Sequence, residues 1–429
     1  MTATAATDSS SDSTSDGSAP TRSQAARPAG HYRLAVLALA MGGFTIGTTE
    51  FVTMGLIREI AAGVDASIPS AGHLISAYAL GVVVGAPVLA FFGARWPRRA
   101  LLVALMLAYG LFNALSAVAA GFEMLFVARF LDGLPHGAYF GVASLVATQL
   151  APAGRAGRAV ASVMLGLSVA NVIGVPAATW MGQHLGWRSA YWSVSLLALL
   201  TVALVLAVVP SVPALAGASG RRELAAFGKA QVWLTLLAGA IGFGGLFAVF
   251  SYIAPTVTRV GDLGDGAVPV FLLVLGLGMV AGTWLAGPLA DWSVMHSLFV
   301  GSVGLGLALV AFWLLAPTGW GALPAAFAIT SLGSVLVVNL QLRLMDVAGE
   351  AQTLGAAMNH ASLNVANALG AWIGGIVIAA GHGYRAPALA GVALSIAGVL
   401  VLVWSALLQR RQDALSRLVQ PGGRTAENR

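Results

Sequence analysis

The chain has 429 residues, of which 58% are hydrophobic and only 9% charged, against about 25% charged in an ordinary soluble domain. So few charges cannot cover the surface of a water-soluble fold, which excludes a soluble enzyme, a nucleic-acid-binding protein and a disordered scaffold. Cysteine is absent, so there is no disulfide framework, thiolate metal site or cysteine nucleophile, and the net charge of +6 sits in short loops between long apolar runs rather than in a basic patch.

From the N-terminus, residues 1–32 are rich in Ser, Thr, Ala and Asp, carry no apolar period and read as a disordered cytoplasmic tail. They lack the small-residue cleavage pattern of a signal peptide. A bilayer-spanning helix needs about 20 mostly apolar residues. Twelve such stretches follow. The first six run over 33–57, 71–93, 99–120, 123–150, 157–183 and 188–209, and make an N-terminal six-helix bundle over 33–209. Residues 210–229, with Pro210, Pro213, Gly217, Gly220 and the pair Arg221-Arg222, read as a cytoplasmic linker. The next six run over 230–255, 267–290, 295–316, 320–343, 351–380 and 385–408, and make a C-terminal bundle over 230–408, followed by a polar basic cytoplasmic tail, 409–429. The fold class is therefore an all-α membrane protein of twelve transmembrane helices.

Orientation follows from the basic residues, which accumulate on the inner side of a membrane. With the N-terminus inside, 17 of the 22 Lys and Arg residues fall in inner segments, four (Arg58, Arg188, Arg259, Arg385) in outer loops, and Arg129 within a span. Both termini are then cytoplasmic and the protein is a multi-pass component of the inner (plasma) membrane.

The two halves repeat at a shift near 197. Gly81 and Gly85 precede Ala94-Arg95-Trp96, as Gly278 and Gly282 precede Asp291-Trp292. Val169-Ala170-Asn171 leads to Gly174, as Val365-Ala366-Asn367 leads to Gly370, and Gly186-Trp187-Arg188 is answered by Gly383-Tyr384-Arg385. A parallel repeat of two six-span halves is the signature of a secondary transporter with its site near the midplane, between the bundles.

Four segments carry a family resemblance: GGFTIGTTEFVTMGLI in span 1, GARWPRRALL in loop 2–3, ARFLDGLPHGAYFGVASLVA in span 4 and LSVANVIGVPAATWMGQHLGWR in span 5. In this order they resemble the major facilitator superfamily, and within it the twelve-span drug:proton antiporters of the arabinose, chloramphenicol and purine efflux permease branch. The resemblance covers residues 33–408. It implies two bundles related by a pseudo-twofold axis, alternating access, and a gating role for Gly93, Arg95, Arg98 and Arg99 of loop 2–3, for Gly174 and Pro176 of span 5, and for Gly287 and Asp291 of the second half. The chain departs from the family pattern in two places. The acidic position of loop 2–3 falls on Ala94, whereas its counterpart Asp291 keeps the acid but is followed by Trp292. In span 5, Gly174-Val175-Pro176 stands where Gly-Pro is common.

Ionisable residues inside spans are few, and each costs about 2.5–3.5 kcal/mol at the bilayer centre on insertion scales, so each is expected to face a wet cavity or a partner. Glu50 falls on one stripe of span 1 with Gly43, Gly47 and Met54. The resemblance places an acid there that serves proton coupling or cationic substrate binding; the plainer reading is an acid held by Thr48 and Thr49. Arg129, Asp132 and His136 share one face of span 4, either as a structural ion pair or, with Glu50, as a proton-coupling cluster. The resemblance gives Arg129 an influence on proton transfer. Substrate-binding candidates are Asn171 and its repeat partner Asn367, His360 and Asn364 on one stripe of span 11, and the aromatic residues Phe140 and Tyr252. Pro176 with Gly174 reads as a bend that rocking would use.

No enzyme pattern is present. The only lysine is Lys229 and no Gly-x-x-x-x-Gly-Lys motif occurs. Neither cofactor nor metal is expected. The reading is a proton-coupled transporter, acting as a monomer in the lipid bilayer, that exports a small molecule such as a drug, sugar or nucleobase in exchange for protons. A single cavity acid suits a neutral or cationic cargo. A proton-coupled importer on the same fold is the alternative, and a non-transporting sensor or membrane enzyme a remote one.

Overall fold

A computed structural model describes residue 2 and residues 29–214 and 219–419. Most of the N-terminal tail, the middle of the linker and the last ten residues lie outside the described residues. Twelve long helices run in sequence, and no strand occurs among the described residues. The first half holds α1 (Ala29–Gly55), α2 (Ile68–Gly93), α3 (Arg98–Ala117), α4 (Phe122–Leu150), α5 (Ala156–Leu185) and α6 (Arg188–Val208). The second holds α7 (230–260, in several pieces), α8 (Val268–Trp292), α9 (Val294–Leu315), α10 (Leu323–Ala348), α11 (Gln352–His382) and α12 (Ala386–Val419).

At about 1.5 Å per residue these rods match the roughly 30 Å hydrocarbon layer. Among the described residues, ten helical stretches are long and apolar enough to cross a membrane. One of them, Val294–Ala348, is a pair of helices, α9 and α10, joined by the 3-10 segment Ala316–Ala322. There Gly319 adopts φ 63°, which reverses the chain. The helix α4, with Glu123, Arg129 and Asp132, is not among the ten. Leu37, Leu111, Trp284 and Leu400 stand exposed while Arg129, Asp132, His136 and Gln341 are buried. That arrangement suits an apolar solvent.

Helix ends differ from the sequence expectation in three places. The first helix begins at Ala29, inside the stretch read as tail. The last continues to Val419, eleven residues beyond the expected 408, because QRRQDALSRLV is built of helix formers. The seventh is interrupted at Phe243 and Tyr252 rather than continuous.

One apolar core joins Leu39, Val82, Leu102, Tyr139, Val163 and Val205 of α1–α6. Another joins Phe243, Phe271, Leu305, Ile329, Ala366 and Leu402 of α7–α12. The repeat seen in the sequence reappears as equivalent packing. A Cβ on Gly85 would stand 2.1 Å from the Leu134 carbonyl oxygen of α4, and one on Gly282 would stand 2.0 Å from the Ser331 carbonyl oxygen of α10. All four positions obey the shift of 197. Because the obstacle is backbone, neither helix can yield cheaply. Gly85→Ala and Gly282→Ala are therefore each expected to cost about 1–3 kcal/mol, read as a lower melting temperature in detergent. Gly72→Ala and Gly121→Ala, with no atom within 4 Å of the added carbon, should leave it unchanged. Equal melting of all four variants would contradict this account.

The two halves meet mainly near the end of the molecule that carries the termini. Leu145, Val160 and Met164 pack there with Ala286, Val338, Met345 and Ala356. Gln341 Nε2 of α10 donates to Ser144 Oγ of α4 at 3.1 Å, and Asp291 of α8 accepts from the Gly157 N–H of α5 at 2.7 Å.

Candidate functional site

A cavity of about 820 Å3, counting its open mouth, lies between the halves. The first half contributes Glu50 and Phe51 of α1 and Met164, Leu167, Ser168 and Asn171 of α5. The second contributes Phe243, Leu246, Phe247 and Phe250 of α7, Met279 and Thr283 of α8, Ser334, Val337 and Val338 of α10, and His360, Leu363, Asn364 and Asn367 of α11. The apolar wall with a few polar groups is that of a small-molecule site.

Glu50 reaches this wall because α1 packs on α5 through its small residues. Gly43 faces the Val163 carbonyl and Gly47 faces Leu167 and Ala170, so the same stripe, continued one turn, brings the carboxyl to the void. Met54 is half-buried and is not part of the lining. The neighbours named as the plainer explanation of this acid are otherwise engaged. Thr48 Oγ1 donates to the Phe44 carbonyl at 2.8 Å, and Thr49 Oγ1 donates to Asn113 Oδ1 at 2.8 Å.

Behind the wall lies a buried polar cluster. Arg129 Nη1 and Asp132 Oδ2 are 3.0 Å apart, both fully buried, and Ser116 Oγ donates to the same carboxylate oxygen at 3.0 Å. The Arg129 guanidinium lies 4.4 Å from the Tyr78 ring centre, a cation–π contact. It is also within electrostatic reach of Glu50. Tyr78 and Tyr109 hydroxyls are 3.2 Å apart, and the Tyr78 hydroxyl is 2.9 Å from His136 Nδ1.

His136 Nε2 is 3.0 Å from His360 Nδ1, a bond between α4 and α11 and hence between the two halves. His360 lines the cavity, stacks on Phe140 with ring centres 4.1 Å apart, and has no protein partner at Nε2. A chain of hydroxyl and imidazole groups thus runs from Tyr109 to the cavity floor. Such groups can pass a proton along by exchanging donor and acceptor roles.

The structure places the sequence candidates unevenly. Asn171, His360, Asn364 and Asn367 line the cavity. Asn171 and Asn364 each donate to the carbonyl four residues back, Leu167 and His360, and among the described residues neither amide oxygen receives a hydrogen bond. Phe140 is fully buried beneath His360 rather than in the lining. Tyr252 turns away and its hydroxyl donates to the Ala371 carbonyl at 2.8 Å.

Among the gating candidates, Gly93 is buried against Leu101, Arg95 is exposed, and the Arg99 side chain donates to the Leu206 carbonyl. Arg98 is completely buried. Gly174 closes a π-helical turn, Ala170–Gly174, and packs against Phe44 and Thr48, while Pro176 begins the exposed side of the helix beyond it. A π turn at such a place is a common functional feature. Gly287 sits against Arg158, and Asp291 receives the Gly157 N–H.

Sequence reasoning missed the apolar face of α7. Phe243, Phe247 and Phe250 repeat at helical spacing and all reach the cavity, a signal that was legible. It also missed the bond between Ser168 and Thr283 hydroxyls, 2.8 Å apart across the halves, which no local pattern announces.

A family profile described as Major Facilitator Superfamily matches residues 39–359. The chain is 39% identical to the inner membrane transport protein YdhP of Escherichia coli over 369 residues, 86% of this chain and 95% of that protein. It is 33% identical to the putative transporter AraJ of the same organism, covering 88% and 96%, and 34% identical to a chloramphenicol resistance protein of Streptomyces lividans, covering 86% and 94%. Among solved structures it is similar to the fucose transporter FucP in the outward conformation, with TM-score 0.69 and 15% identity over 87% of this chain and 99% of that one. It is also similar to the proton:xylose symporter XylE, with TM-score 0.68 and 16% identity over 87% and 95%. These are transporters rather than enzymes, and with a profile match over most of its length the chain belongs to the major facilitator superfamily.

Proposed function

We propose that the protein exports a small, neutral or cationic, partly apolar molecule in exchange for protons. It works by alternating access in an inner membrane, with both termini in the cytoplasm. The observation that carries this reading is Glu50, the only carboxylate on a cavity wall otherwise made of aromatic, aliphatic and amide side chains. An anion would meet repulsion there, whereas a cation or a proton would be attracted. One site that takes either a proton or cargo is sufficient for exchange. The His136–His360 bond supports the coupling, because protonating both rings would set like charges against each other across the two halves.

With the termini inside, the end sealed by Asp291 and Gly157 is the inner gate and the cavity opens outward. That is the state which has released cargo and receives a proton. The cavity lining described within one chain is consistent with action as a monomer. The kinship with a chloramphenicol resistance protein favours export over import.

A compound-susceptibility panel in an efflux-deficient host tests the direction. Cells making the protein should tolerate several-fold more of at least one neutral or cationic aromatic compound. Everted vesicles acidified inside should accumulate that compound and lose part of their acidity as it enters. Accumulation only in right-side-out vesicles would instead make the protein an importer.

A further inference from the structure

In the second half, the acid that ends α8 closes the gap between the halves. Asp291 Oδ1 accepts from the Gly157 N–H at the start of α5, a helix whose N-cap residue, Arg155, offers no side-chain cap. The first N–H groups of a helix have no partner of their own and attract a negative charge. The repeat maps Asp291 onto Ala94 and, counted from the helix N-caps Arg155 and Ala351, it maps Arg158, whose N–H also donates to Asp291 Oδ1 at 3.4 Å, onto Leu354. The Ala94 side chain has no acceptor, and α11 likewise starts without a side-chain cap. Yet the Leu354 N–H is not orphaned, because it donates to Glu223 Oε2 at 3.0 Å.

Glu223 comes from the linker helix Gly220–Leu224, which Ser219 caps and whose Gly220 rests on the Phe91 ring of α2. The carboxylate is buried. The charge facing it from the first half is Arg98 of α3, whose guanidinium is fully buried and has no hydrogen-bond partner. Burial pushes the Glu223 carboxyl above the usual carboxylate range, a rise that the Leu354 N–H and Arg98 only partly offset. Leu354, its hydrogen-bond partner, packs in one apolar cluster with Ala90 of α2, Ala226 of the linker and Leu344 of the second half.

We infer that Glu223 replaces the missing acid at position 94, so that the linker and not loop 2–3 supplies the first-half latch of the terminal-end gate. The latch ties α2 and α3, through Phe91 and Arg98, to the start of α11. Glu223 is a positioning residue: it touches no cargo and sets the balance between the two gate states. The inference rests on the alternating-access reading and needs neither the identity of the cargo nor the proton.

The chain has no cysteine, so spin labels on Ala100→Cys and Trp292→Cys, both exposed at the terminal end, report the gate directly in lipid nanodiscs without transport. Glu223→Ala should raise the long-distance population about tenfold, the scale of losing one hydrogen bond to a charged group. Asp291→Asn should act likewise. Adding Ala94→Asp to Glu223→Ala should restore the short distance, which a merely structural loss would not allow. Glu223→Gln, which keeps the shape without the charge, should open the gate part-way and serves if the alanine variant misfolds.

A distance distribution unchanged by either Glu223 substitution, in monodisperse protein, would overturn the inference. So would a double variant that stays open. If Asp291→Asn opens the gate while Glu223 variants do not, the linker travels with α11 and is no latch.

Discussion

Glu50→Gln is expected to end proton-driven accumulation while leaving the amount of membrane-inserted protein unchanged. A membrane potential supplies about 2.3 kcal/mol per charge per 100 mV, enough for a roughly 50-fold concentration ratio. His360 then remains as the titratable group on the wall, but without the acid a neutral cargo is only equilibrated, so that ratio collapses toward one. The amide is isosteric and stands on a partly exposed cavity wall, so the fold should tolerate the exchange. Everted vesicles loaded with a pH-sensitive dye read both effects: cargo addition should no longer dissipate the gradient, while exchange of labelled for unlabelled cargo continues. Undiminished accumulation by Glu50→Gln would remove this carboxylate from the mechanism, and the proposed coupling with it.

Arg129→Met should be the most destabilising single change in the first half. It leaves Asp132, fully buried, with only the Ser116 hydroxyl for company. Removing one partner of a buried pair typically costs about 3–5 kcal/mol, whereas replacing both by apolar side chains is often neutral. The double variant Arg129→Met/Asp132→Leu is therefore expected to melt closer to wild type than Arg129→Met does. Thermal unfolding of the purified proteins in one detergent gives the comparison. Additive losses would show that Arg129 stabilises through the Tyr78 ring and the electrostatics of the cavity rather than through Asp132. If the double variant folds but no longer transports, the pair is separated from stability and tied to turnover.

The origin of each feature explains why some were legible before the structure and others were not. Span positions follow from runs of apolar side chains, a property of each segment alone, and the helices match them to within a few residues except where α12 runs on to Val419. The Arg129–Asp132 pair was readable because residues three apart on a helix are neighbours whatever surrounds them. The repeated glycines were readable because a small residue that permits close helix contact recurs in both halves, and Gly85 and Gly282 do meet equivalent backbones. By contrast, His136 was read with the proton-coupling group and His360 with the substrate group, yet the two rings touch.

Local sequence thus determined the helices, their repeat, the scarcity of membrane-embedded charge and the stripe that carries Glu50. Only the tertiary structure decided which of those stripes converge. The His136–His360 bond joins residues 224 apart, the Glu223–Leu354 bond residues 131 apart. The physical reason is that hydropathy and helical period depend on neighbours along the chain. The rotation of each helix about its axis, and the docking of one half on the other, depend on how side chains from distant segments fill shared space.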